Sequence, residues 1–423
     1  MPLKSAPTIL SFEAARHVVE EHAARLRPRG KELAELLDSV GQVLAEPVIA
    51  DRNFPPFPRA TRDGYAVQAA DLAELPARLD VIGEIKAGAD VRLEISRGQA
   101  AAIMTGAPAP PGADAVVMVE YTTQTGERVE ISKGITAGEN IVPAGSEAKR
   151  GARLLSPGTR LDHAAIAVAA SAGKSRLLVY SRPRVAVLAT GDEIVDIDIS
   201  PATQQIRNSN TYSLAAQIQA AGGEPLLLPI APDKPGRLRE LMIDGMEADL
   251  LLLTGGVSMG KYDLVEQVLQ DLGAEFFFTG AQIQPGRPVV FGRIPFGAGA
   301  PAREVSSGEG SHRYFFGLPG NPISTMVTFE LFARPVLEAL SGLAPRKLVF
   351  LHAQLKSEIK TKTGLKRFLP ALLSGEFERA EVELVPWQGS GDIAATARSN
   401  CYVVVPPDRD RIPAGEWVPV LPR

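Results

Sequence analysis

The stretch Asp249-Leu-Leu-Leu-Leu-Thr-Gly-Gly-Val-Ser-Met-Gly-Lys-Tyr-Asp263 runs from a buried strand through a glycine turn into a helix. Such a turn presents backbone N–H groups at a helix N-terminus, where anions bind. We therefore interpret Gly255 and Gly256 as part of an anion cradle. The segment ends in the carboxylate of Asp263, which suits a phosphate site only when a cation is present as well. The pattern predicts a nucleotide or oxyanion held together with a divalent metal.

Strands alternate with helices on both sides of this stretch. Apolar strands are expected at residues 185–190, 225–230, 249–254, 275–280 and 288–292, and helices at 210–221, 235–246, 262–272 and 323–340. This alternation predicts a parallel sheet covered by helices on both faces, a three-layer αβα domain. Such sheets bind ligands at the carboxyl ends of their strands.

The remaining patterns divide the chain further. Helical periodicity at 11–26 and 31–45, the latter with Leu33, Leu36, Leu37, Val40 and Leu44 on one face, gives way to short β-type runs and then to a helical stretch before residue 180. We expect a multidomain α/β and β protein. Its parts are an N-terminal helical or mixed domain (1–50 and 148–180), an inserted β module (51–147), the α/β domain (181–342) and a C-terminal β domain (343–423).

Composition excludes several classes of protein. The chain has 423 residues and a formal net charge of −4, which gives no electrostatic reason to expect nucleic acid. No apolar run approaches the roughly 18 residues of a membrane span, and the N-terminus lacks the pattern of a secretory signal. The single cysteine, Cys401, excludes an intramolecular disulfide and a cysteine-based zinc site. A cytoplasmic protein without a membrane partner is expected.

Carboxylates follow three of the expected strands. Asp192 and Glu193 come after 185–190, Asp233 after 225–230, and Asp263 closes the glycine segment. Strand topology places all four at one edge of the sheet, where they would repel each other unless a cation such as Mg²⁺ were bound. One or two carboxylates plus substrate phosphates commonly hold Mg²⁺. The alternative is that these side chains cap helices and pair with arginines.

Two proline-containing turns lie in the same domain. Leu318-Pro-Gly-Asn-Pro322 has a tightly set geometry and, taken alone, is the start of a helix. Ile283-Gln-Pro-Gly-Arg287-Pro adds a guanidinium that suits an oxyanion, and the alternative is that Arg287 is a solvated surface side chain. In the β module, Asp63 precedes a glycine and is locally a turn residue.

Seven segments together resemble the molybdopterin molybdenumtransferase family, which includes the gephyrin E domain. They occur in the family's order: PPFPRATRDGYAV (55–67), IMTGAPAPPGADAVVMVE (103–120), VAVLATGDEIV (185–195), TGGVSMGKYD (254–263), IQPGRP (283–288), GLPGNPIS (317–324) and GSGDI (389–393).

The resemblance implies an enzyme that takes adenylylated molybdopterin and molybdate, inserts molybdenum at the dithiolene and releases AMP, with Mg²⁺ as cofactor. It also implies a homodimer whose active site lies between the α/β domain of one subunit and the β module of the other, and apo-molybdoenzymes as possible recipients.

The resemblance also implies roles for individual residues. Catalytic positions match Asp63, Thr105, Glu193, Asp233 and Asp263, which reverses the local interpretation of Asp63. We assign Asp233 and Asp263 to Mg²⁺, and Ser258, Arg287 and Ser390 to molybdate or phosphate. Pro319 and Pro322 match the turn that shapes the cleft. The remaining expected substrate-binding residues are Asp192, Gly255, Gly256 and Arg367.

Departures from the family pattern concern the oxyanion site. Gln284 and Arg287 stand where the family often has two lysines, and Lys261 stands where an acidic residue is common. Leu365 and Pro370 replace polar residues, and Lys366 or Arg367 could substitute for arginines of that segment. Three alternatives follow: a non-catalytic molybdopterin-binding or scaffold protein of the same family, an insertase that prefers tungstate, and a generic Mg²⁺-dependent nucleotide hydrolase. The last leaves the segments at 55–67 and 103–108 unexplained.

Overall fold

The sheet that the leucine stretch predicts is present in a computed structural model, which describes residues 8–88, 90–256, 264–295, 312–376 and 379–423. The chain forms two compact units, one of residues 1–33, 41–45 and 178–423, the other of residues 34–40 and 46–177. Four separate domains stay a prediction. The helix Phe12–Arg25 belongs to the first unit, whereas the sequence grouped it with residues 148–180.

The first unit is built on a six-stranded sheet. Its strands are β1 (Arg184–Ala189), β2 (Glu224–Leu227), β3 (Leu250–Thr254), β4 (Glu275–Phe278), β5 (Val290–Pro295) and β6 (His312–Leu318). The order across the sheet is β2-β1-β3-β6-β5-β4. β1 is parallel to β2 and β3, and β3 is parallel to β6. β5 runs antiparallel to both β4 and β6, so the expectation of a wholly parallel sheet was wrong.

The reversal follows from the connection between β4 and β5. Parallel neighbours need a crossover of a dozen or more residues, usually a helix. Residues 279–289 contain no helix, only the short strands Gly280–Ala281 and Ile283–Gln284. Without a helical crossover, the chain turns back along the same sheet edge.

The leucine run of β3 is buried on both faces because helices cover both. Leu250 and Leu252 belong to one apolar core, whereas Leu251 and Leu253 belong to another. This alternation is the period of two that a strand requires. Helices Ser209–Ala220 and Pro322–Leu340, the latter with a π-helical segment at Phe329–Ala333, cover the first face; Pro235–Gly245 and Leu264–Asp271 cover the second. The predicted αβα layering is confirmed.

The C-terminal region is the β domain that the sequence predicts. Its strands, in spatial order, are Lys366–Ser374, Glu381–Leu384, Leu351–Leu355, Trp417–Pro422 and Cys401–Val405. Lys366–Ser374 also pairs with Cys401–Val405, which closes the five strands into a barrel. The short strand Ile283–Gln284 extends Lys366–Ser374 in parallel and so ties the barrel to the α/β layer. Smaller elements are Ile9–Leu10, Val43–Leu44, Arg176–Tyr180, Ile194–Val195, Ile206–Arg207, Ile359–Lys360, Arg411–Ile412 and the helix Ile393–Arg398.

The second unit is the expected β module followed by a short helix. Its six-stranded sheet has the order Thr122–Thr125, Arg128–Ile131, Ala77–Ile85, Gln99–Ile103, Gly64–Val67 and Ala115–Met118. Shorter strands are Val48–Ile49, Arg59–Ala60, Ile141–Val142 and Arg153–Leu155, and the helix is His163–Ser171, capped by the carboxylate of Asp162.

The prediction of a helix at residues 31–45 was wrong. The segment forms strands Lys31–Glu35 and Val43–Leu44 around a turn, and Leu33, Leu37 and Val40 are 60%, 75% and 49% exposed. The turn ends at Gly41, whose φ of +79° is left-handed, and Leu44 pairs with Val179. Tertiary pairing therefore overrides the helical periodicity. No helix in the described ranges is long and apolar enough to cross a membrane.

Candidate functional site

A cavity of about 610 Å³ opens at the carboxyl ends of β1, β3 and β6, where the parallel strands predict a binding site. Five chain segments of the α/β layer and one of the barrel domain contribute to it. The lining residues are Ala189, Thr190, Glu193, Ile194, Ile206, Arg207, Asn208, Ser209, Asn210, Thr254, Gly255, Gly256, Pro288, Pro319, Gly320, Asn321, Pro322, Gly391 and Ile393.

A hydrogen-bonded network fixes the floor of this cavity. The amide of Asn210 donates to Thr254 Oγ1 at 2.9 Å and to the carbonyl of Gly320 at 2.7 Å. Thr254 Oγ1 lies 3.4 Å from the carbonyl of Pro319, and the hydroxyl of Thr325 donates to that same carbonyl. The network therefore joins the end of β3 to the proline turn after β6.

The root of the glycine segment requires glycine. Gly255 has a φ of +90°, and a Cβ there would lie 2.5 Å from the carbonyl oxygen of Thr190. The N–H of Thr190 donates to the carbonyl of Thr254 at 3.1 Å, so the ends of β1 and β3 approach each other backbone to backbone. Gly256 has a φ of +61° and also lines the cavity.

Three of the four predicted carboxylates lie at this edge and are exposed. Asp192 accepts a hydrogen bond from the N–H of Asp233 at 3.1 Å, and the hydroxyl of Thr190 donates to Asp233 Oδ1 at 3.3 Å. Glu193 lines the cavity itself. Its carboxylate folds back over Gly191, where a Cβ would lie 2.6 Å from Glu193 Oε2. Topology thus gathers Asp192, Glu193 and Asp233 as the strand order predicts.

The expected metal site is only partly within the described structure. Ser258 and Asp263 lie in residues 257–263, outside the described ranges. Among the residues described, no group of three His, Cys, Asp or Glu side chains is placed to hold a metal ion. The exposed carboxylate of Asp233, held by Thr190, is compatible with Mg²⁺ completed by substrate phosphates and water.

The remaining predicted residues divide into two groups. Pro319 and Pro322 line the cavity, and the carbonyl of Ser390 accepts from the N–H of Ile323 at 3.0 Å beside the lining residue Gly391. Arg287 is exposed but does not belong to the lining, although Pro288 does. Arg367 is 7% exposed, donates to the carbonyl of Lys362 at 2.7 Å and lies outside the lining.

Asp63 and Thr105 of the second unit are in direct contact. Asp63 Oδ1 accepts from the N–H of Thr105 at 2.6 Å. Hydrogen bonds from the backbone and the side chain of Thr105 lower the pKa of the Asp63 carboxyl, which is fully exposed. Asp63 is therefore an accessible, ionised carboxylate at neutral pH.

Several lining residues were missed by the sequence analysis. Ile206, Arg207, Asn208 and Asn210 belong to the segment IRNSN. Gly391 and Ile393 come from the GSGDI segment of the barrel domain, in which the sequence analysis gave a role to Ser390 alone. A usable signal was present, because Asn208 before a helical stretch is a helix-cap pattern. Asn208 does cap the helix Ser209–Ala220, accepting from the N–H of Thr211 at 3.2 Å.

Comparison with known proteins gives matches along most of the chain. The family model of the MoeA N-terminal region (domain I and II) matches residues 10–173, that of a probable molybdopterin binding domain residues 186–339, and that of the MoeA C-terminal region (domain IV) residues 352–422.

Similar full-length proteins share one name. A molybdopterin molybdenumtransferase of Nostoc sp. is 36% identical over 402 residues, covering 92% of this chain and 88% of that protein. One of Bacillus subtilis is 32% identical over 400 residues, covering 92% and 89%. A solved structure of a molybdopterin biosynthesis MoeA protein from Pyrococcus horikoshii superposes with a TM-score of 0.76 at 27% identity, covering 98% of this chain and 100% of that one.

Proposed function

The chain belongs to the molybdopterin molybdenumtransferase family, and from this membership we propose that it inserts molybdenum from molybdate into adenylylated molybdopterin and releases AMP. The observation that carries the proposal is the cavity at the ends of β1, β3 and β6. It lies chiefly within residues 186–339, which match a probable molybdopterin binding domain.

The lining suits a ligand with a flat ring and an anionic arm. Ile194, Ile206 and Ile393 offer apolar surface for a heteroaromatic ring, together with the prolines of the lining. Cavities that bind small molecules are mostly apolar with a few placed polar groups, and here Asn208, Asn210 and Thr254 are such groups. The floor network holds Asn210 and Thr254, and the cap bond from Thr211 holds Asn208, in a fixed arrangement before a ligand binds.

Mg²⁺ is part of the proposal as the family's cofactor. Asp233 would hold it, with Asp263 as the second proposed ligand. When bound, Mg²⁺ would neutralise charge on the phosphoanhydride that links the pterin phosphate to AMP. The hydroxyl of Thr190 keeps the Asp233 carboxylate oriented at the end of β1, independently of any ion.

The chain's own residues have three proposed tasks during the reaction. Glu193, at the cavity wall, orients the water that attacks the pterin phosphate and accepts a proton from it. The bond between that phosphate and the bridging oxygen breaks, and AMP leaves with the bridging oxygen. Arg287, Ser390 and Ser258 bind molybdate, because a tetrahedral dianion needs N–H and O–H donors rather than carboxylates. Asp63, whose carboxylate is held by the N–H of Thr105, positions the substrate.

The assembly and setting are further parts of the proposal. We propose a homodimer, testable by the sedimentation mass of the purified protein. Apo-molybdoenzymes are the proposed recipients of the product. A cytoplasmic location is proposed because the single cysteine, Cys401, can form no disulfide within the chain, which fits a reducing compartment.

A defined reconstitution tests the function. Purified protein, adenylylated molybdopterin, Mg²⁺ and molybdate are mixed, and AMP release and activation of an apo-molybdoenzyme are followed for the wild type, Asp263→Ala and Glu193→Gln. The control is Asp244→Asn, an exposed carboxylate on Pro235–Gly245 away from the lining. We expect molybdate-dependent turnover that falls about 100-fold in the two site variants and persists in the control.

Two outcomes would redirect the proposal. Tight pterin binding without AMP release, at any molybdate or tungstate concentration, would replace insertion with a binding or scaffold role. Faster turnover with tungstate than with molybdate would identify a tungstate-preferring insertase.

A further inference from the structure

Arg207 has no assigned role, yet it stands in the wall of the cavity. Of the described residues that line the cavity, Glu193 and Arg207 carry charge. Arg207 is exposed, and its guanidinium makes no ion pair or side-chain hydrogen bond with any residue in the described ranges. It is therefore available to a ligand in a wall that is otherwise neutral apart from one carboxylate.

The backbone around Arg207 is fixed on both sides. The strand Ile206–Arg207 pairs in parallel with Ile194–Val195. The N–H of Ile206 donates to the carbonyl of Glu193 at 2.9 Å, and the N–H of Asn208 donates to the carbonyl of Val195 at 2.8 Å. The backbone that carries the guanidinium is therefore fixed at the rim. Binding an anion costs conformational entropy of the Arg207 side chain but little of the backbone.

Glu193 does not neutralise Arg207 although the two side chains share the cavity. The Glu193 carboxylate folds over Gly191, and no ion pair of 4.0 Å or less joins it to Arg207 within the described structure. The guanidinium keeps its five N–H donors in a fork that matches the oxygens of phosphate or molybdate. Beside it, Ile194 and Ile206 give the ring of a substrate apolar surface.

We propose that Arg207 is a binding residue for a tetrahedral oxyanion in this cavity, the chemistry that a phosphate ester and molybdate share. The inference rests on the proposed function, since it names the group that holds the anionic part of that substrate. Arg207 adds a cation to the site from the IRNSN segment. The IQPGRP segment supplies only Arg287, because Gln284 stands where the family often has a lysine.

The test is a set of direct titrations with the full-length protein. AMP, inorganic phosphate and molybdate are titrated separately into the wild type, Arg207→Gln and Arg207→Lys by calorimetry. The matched control is Arg237→Gln, which removes an exposed arginine paired with Glu240 and changes the net charge equally.

We expect the Kd of one oxyanion to rise about 10–100-fold in Arg207→Gln, the range of a lost charge-assisted hydrogen bond. Arg207→Lys should recover part of the loss, because the charge remains without the fork, and Arg237→Gln should bind like the wild type. Weakened binding of AMP and phosphate identifies a phosphate arm as the anion. Weakened binding of molybdate alone identifies the metal oxyanion.

Equal affinities of wild type and Arg207→Gln for all three probes would overturn the assignment, as would a wild type that binds none of them. If circular dichroism shows that Arg207→Gln does not fold, the Kd values of wild type and Arg207→Lys are compared instead, and equal values would overturn the assignment. The titrations need no turnover. Wild-type AMP release together with unaltered binding by Arg207→Gln rejects this inference alone. Arg207-dependent binding without AMP release rejects the proposed function alone.

Discussion

The carboxylate of Asp63 and the backbone N–H of Thr105 are joined by a hydrogen bond of 2.6 Å, although the residues lie 42 positions apart in the chain. Asp63 lies at the end of the short turn after the strand Arg59–Ala60, directly before Gly64. Thr105 lies two residues after the end of the strand Gln99–Ile103. The antiparallel pairing of Gly64 with Ile103 brings the two ends together. Sheet register therefore creates this pair, and it is the reason that a local reading of Asp63 as a turn residue was incomplete.

The pair predicts a pH-dependent contribution to stability. Because Thr105 lowers the pKa of Asp63 in the folded chain, the contribution is fully present above the pKa of the unfolded chain. It is lost as the pH falls through the lower folded pKa. We expect the difference in urea midpoint between wild type and Asp63→Asn to be constant at neutral pH and to shrink below about pH 4. A difference that is independent of pH would show that the carboxylate charge is irrelevant to the pair.

Adding a methyl group at Gly255, the first glycine of the glycine segment, should strongly lower the stability of the fold. In Gly255→Ala, the Cβ would press on the carbonyl oxygen of Thr190 at a left-handed φ, so we expect a loss of about 2–4 kcal/mol in the free energy of unfolding. AMP release should fall as well, because the strand ends that line the cavity must separate. Chemical denaturation and turnover measure the two effects.

Gly236→Ala is the matched control for this substitution. Gly236 lies in the first turn of Pro235–Gly245, and a Cβ there meets no atom within 4 Å. Since alanine favours a helix over glycine, the variant should be as stable as the wild type or slightly more stable. Equal destabilisation by both alanines would contradict the close approach of β1 and β3.

The sequence predicts the α/β layer well for a physical reason. Runs such as 185–190 and 249–254 are apolar on both faces, which only a strand covered on both faces can bury. It predicts badly where pairing between distant segments decides. Leu33, Leu37 and Val40 have the spacing of a helix, yet the chain there pairs as strands and leaves them exposed. The antiparallel course of β5 likewise depends on a missing crossover helix.

The same division holds for the site. Carboxylates at strand ends are predictable from topology alone, and Asp192, Glu193 and Asp233 are found at one edge. The positions of Gly391 and Ile393 are not predictable from strand topology, because their place in the cavity wall depends on how the barrel packs beside Ile323. Arg367 is chemically suitable for an oxyanion, but it is 7% exposed and two of its nitrogens already donate to the carbonyl of Lys362. Residue type alone does not show whether a side chain is already occupied.

The N-terminal helix predicts a long-range packing effect. Phe12 is 8% exposed, and its ring lies 6.2 Å from that of Phe332 and 5.4 Å from that of Phe368. It therefore contacts both the long helix of the α/β layer and the barrel. Phe12→Ala should lower the free energy of unfolding by about 3–5 kcal/mol, measured by urea denaturation. Leu33→Ala, at a 60% exposed leucine, should change it by less than about 0.5 kcal/mol. Similar losses in both variants would contradict this placement of the helix.

The floor of the cavity predicts that Asn210 supports both stability and binding. Asn210→Ala removes the donors to Thr254 and Gly320, whose loss we expect to cost about 1–3 kcal/mol in the free energy of unfolding. The value should lie toward the lower end, because Asn210 Oδ1 is buried and has no partner among the described residues, so alanine also removes an unsatisfied acceptor. Since Thr254 and Gly320 line the cavity, the Kd of AMP should rise at temperatures where the variant is folded.

Two further variants test whether the effect of Asn210 comes from its amide N–H donors. One changes Asn210 itself, and the other is a control elsewhere on the same helix. Asn210→Asp keeps the shape but places a carboxylate oxygen against the carbonyl of Gly320, so it should be less stable than Asn210→Ala. Gln219→Ala, at an exposed position of the same helix, should match the wild type in stability and in AMP binding. An Asn210→Asp variant as stable as the wild type would show that the bond to Gly320 contributes nothing, and that the hydroxyls of Thr254 and Thr325 hold the proline turn through the carbonyl of Pro319.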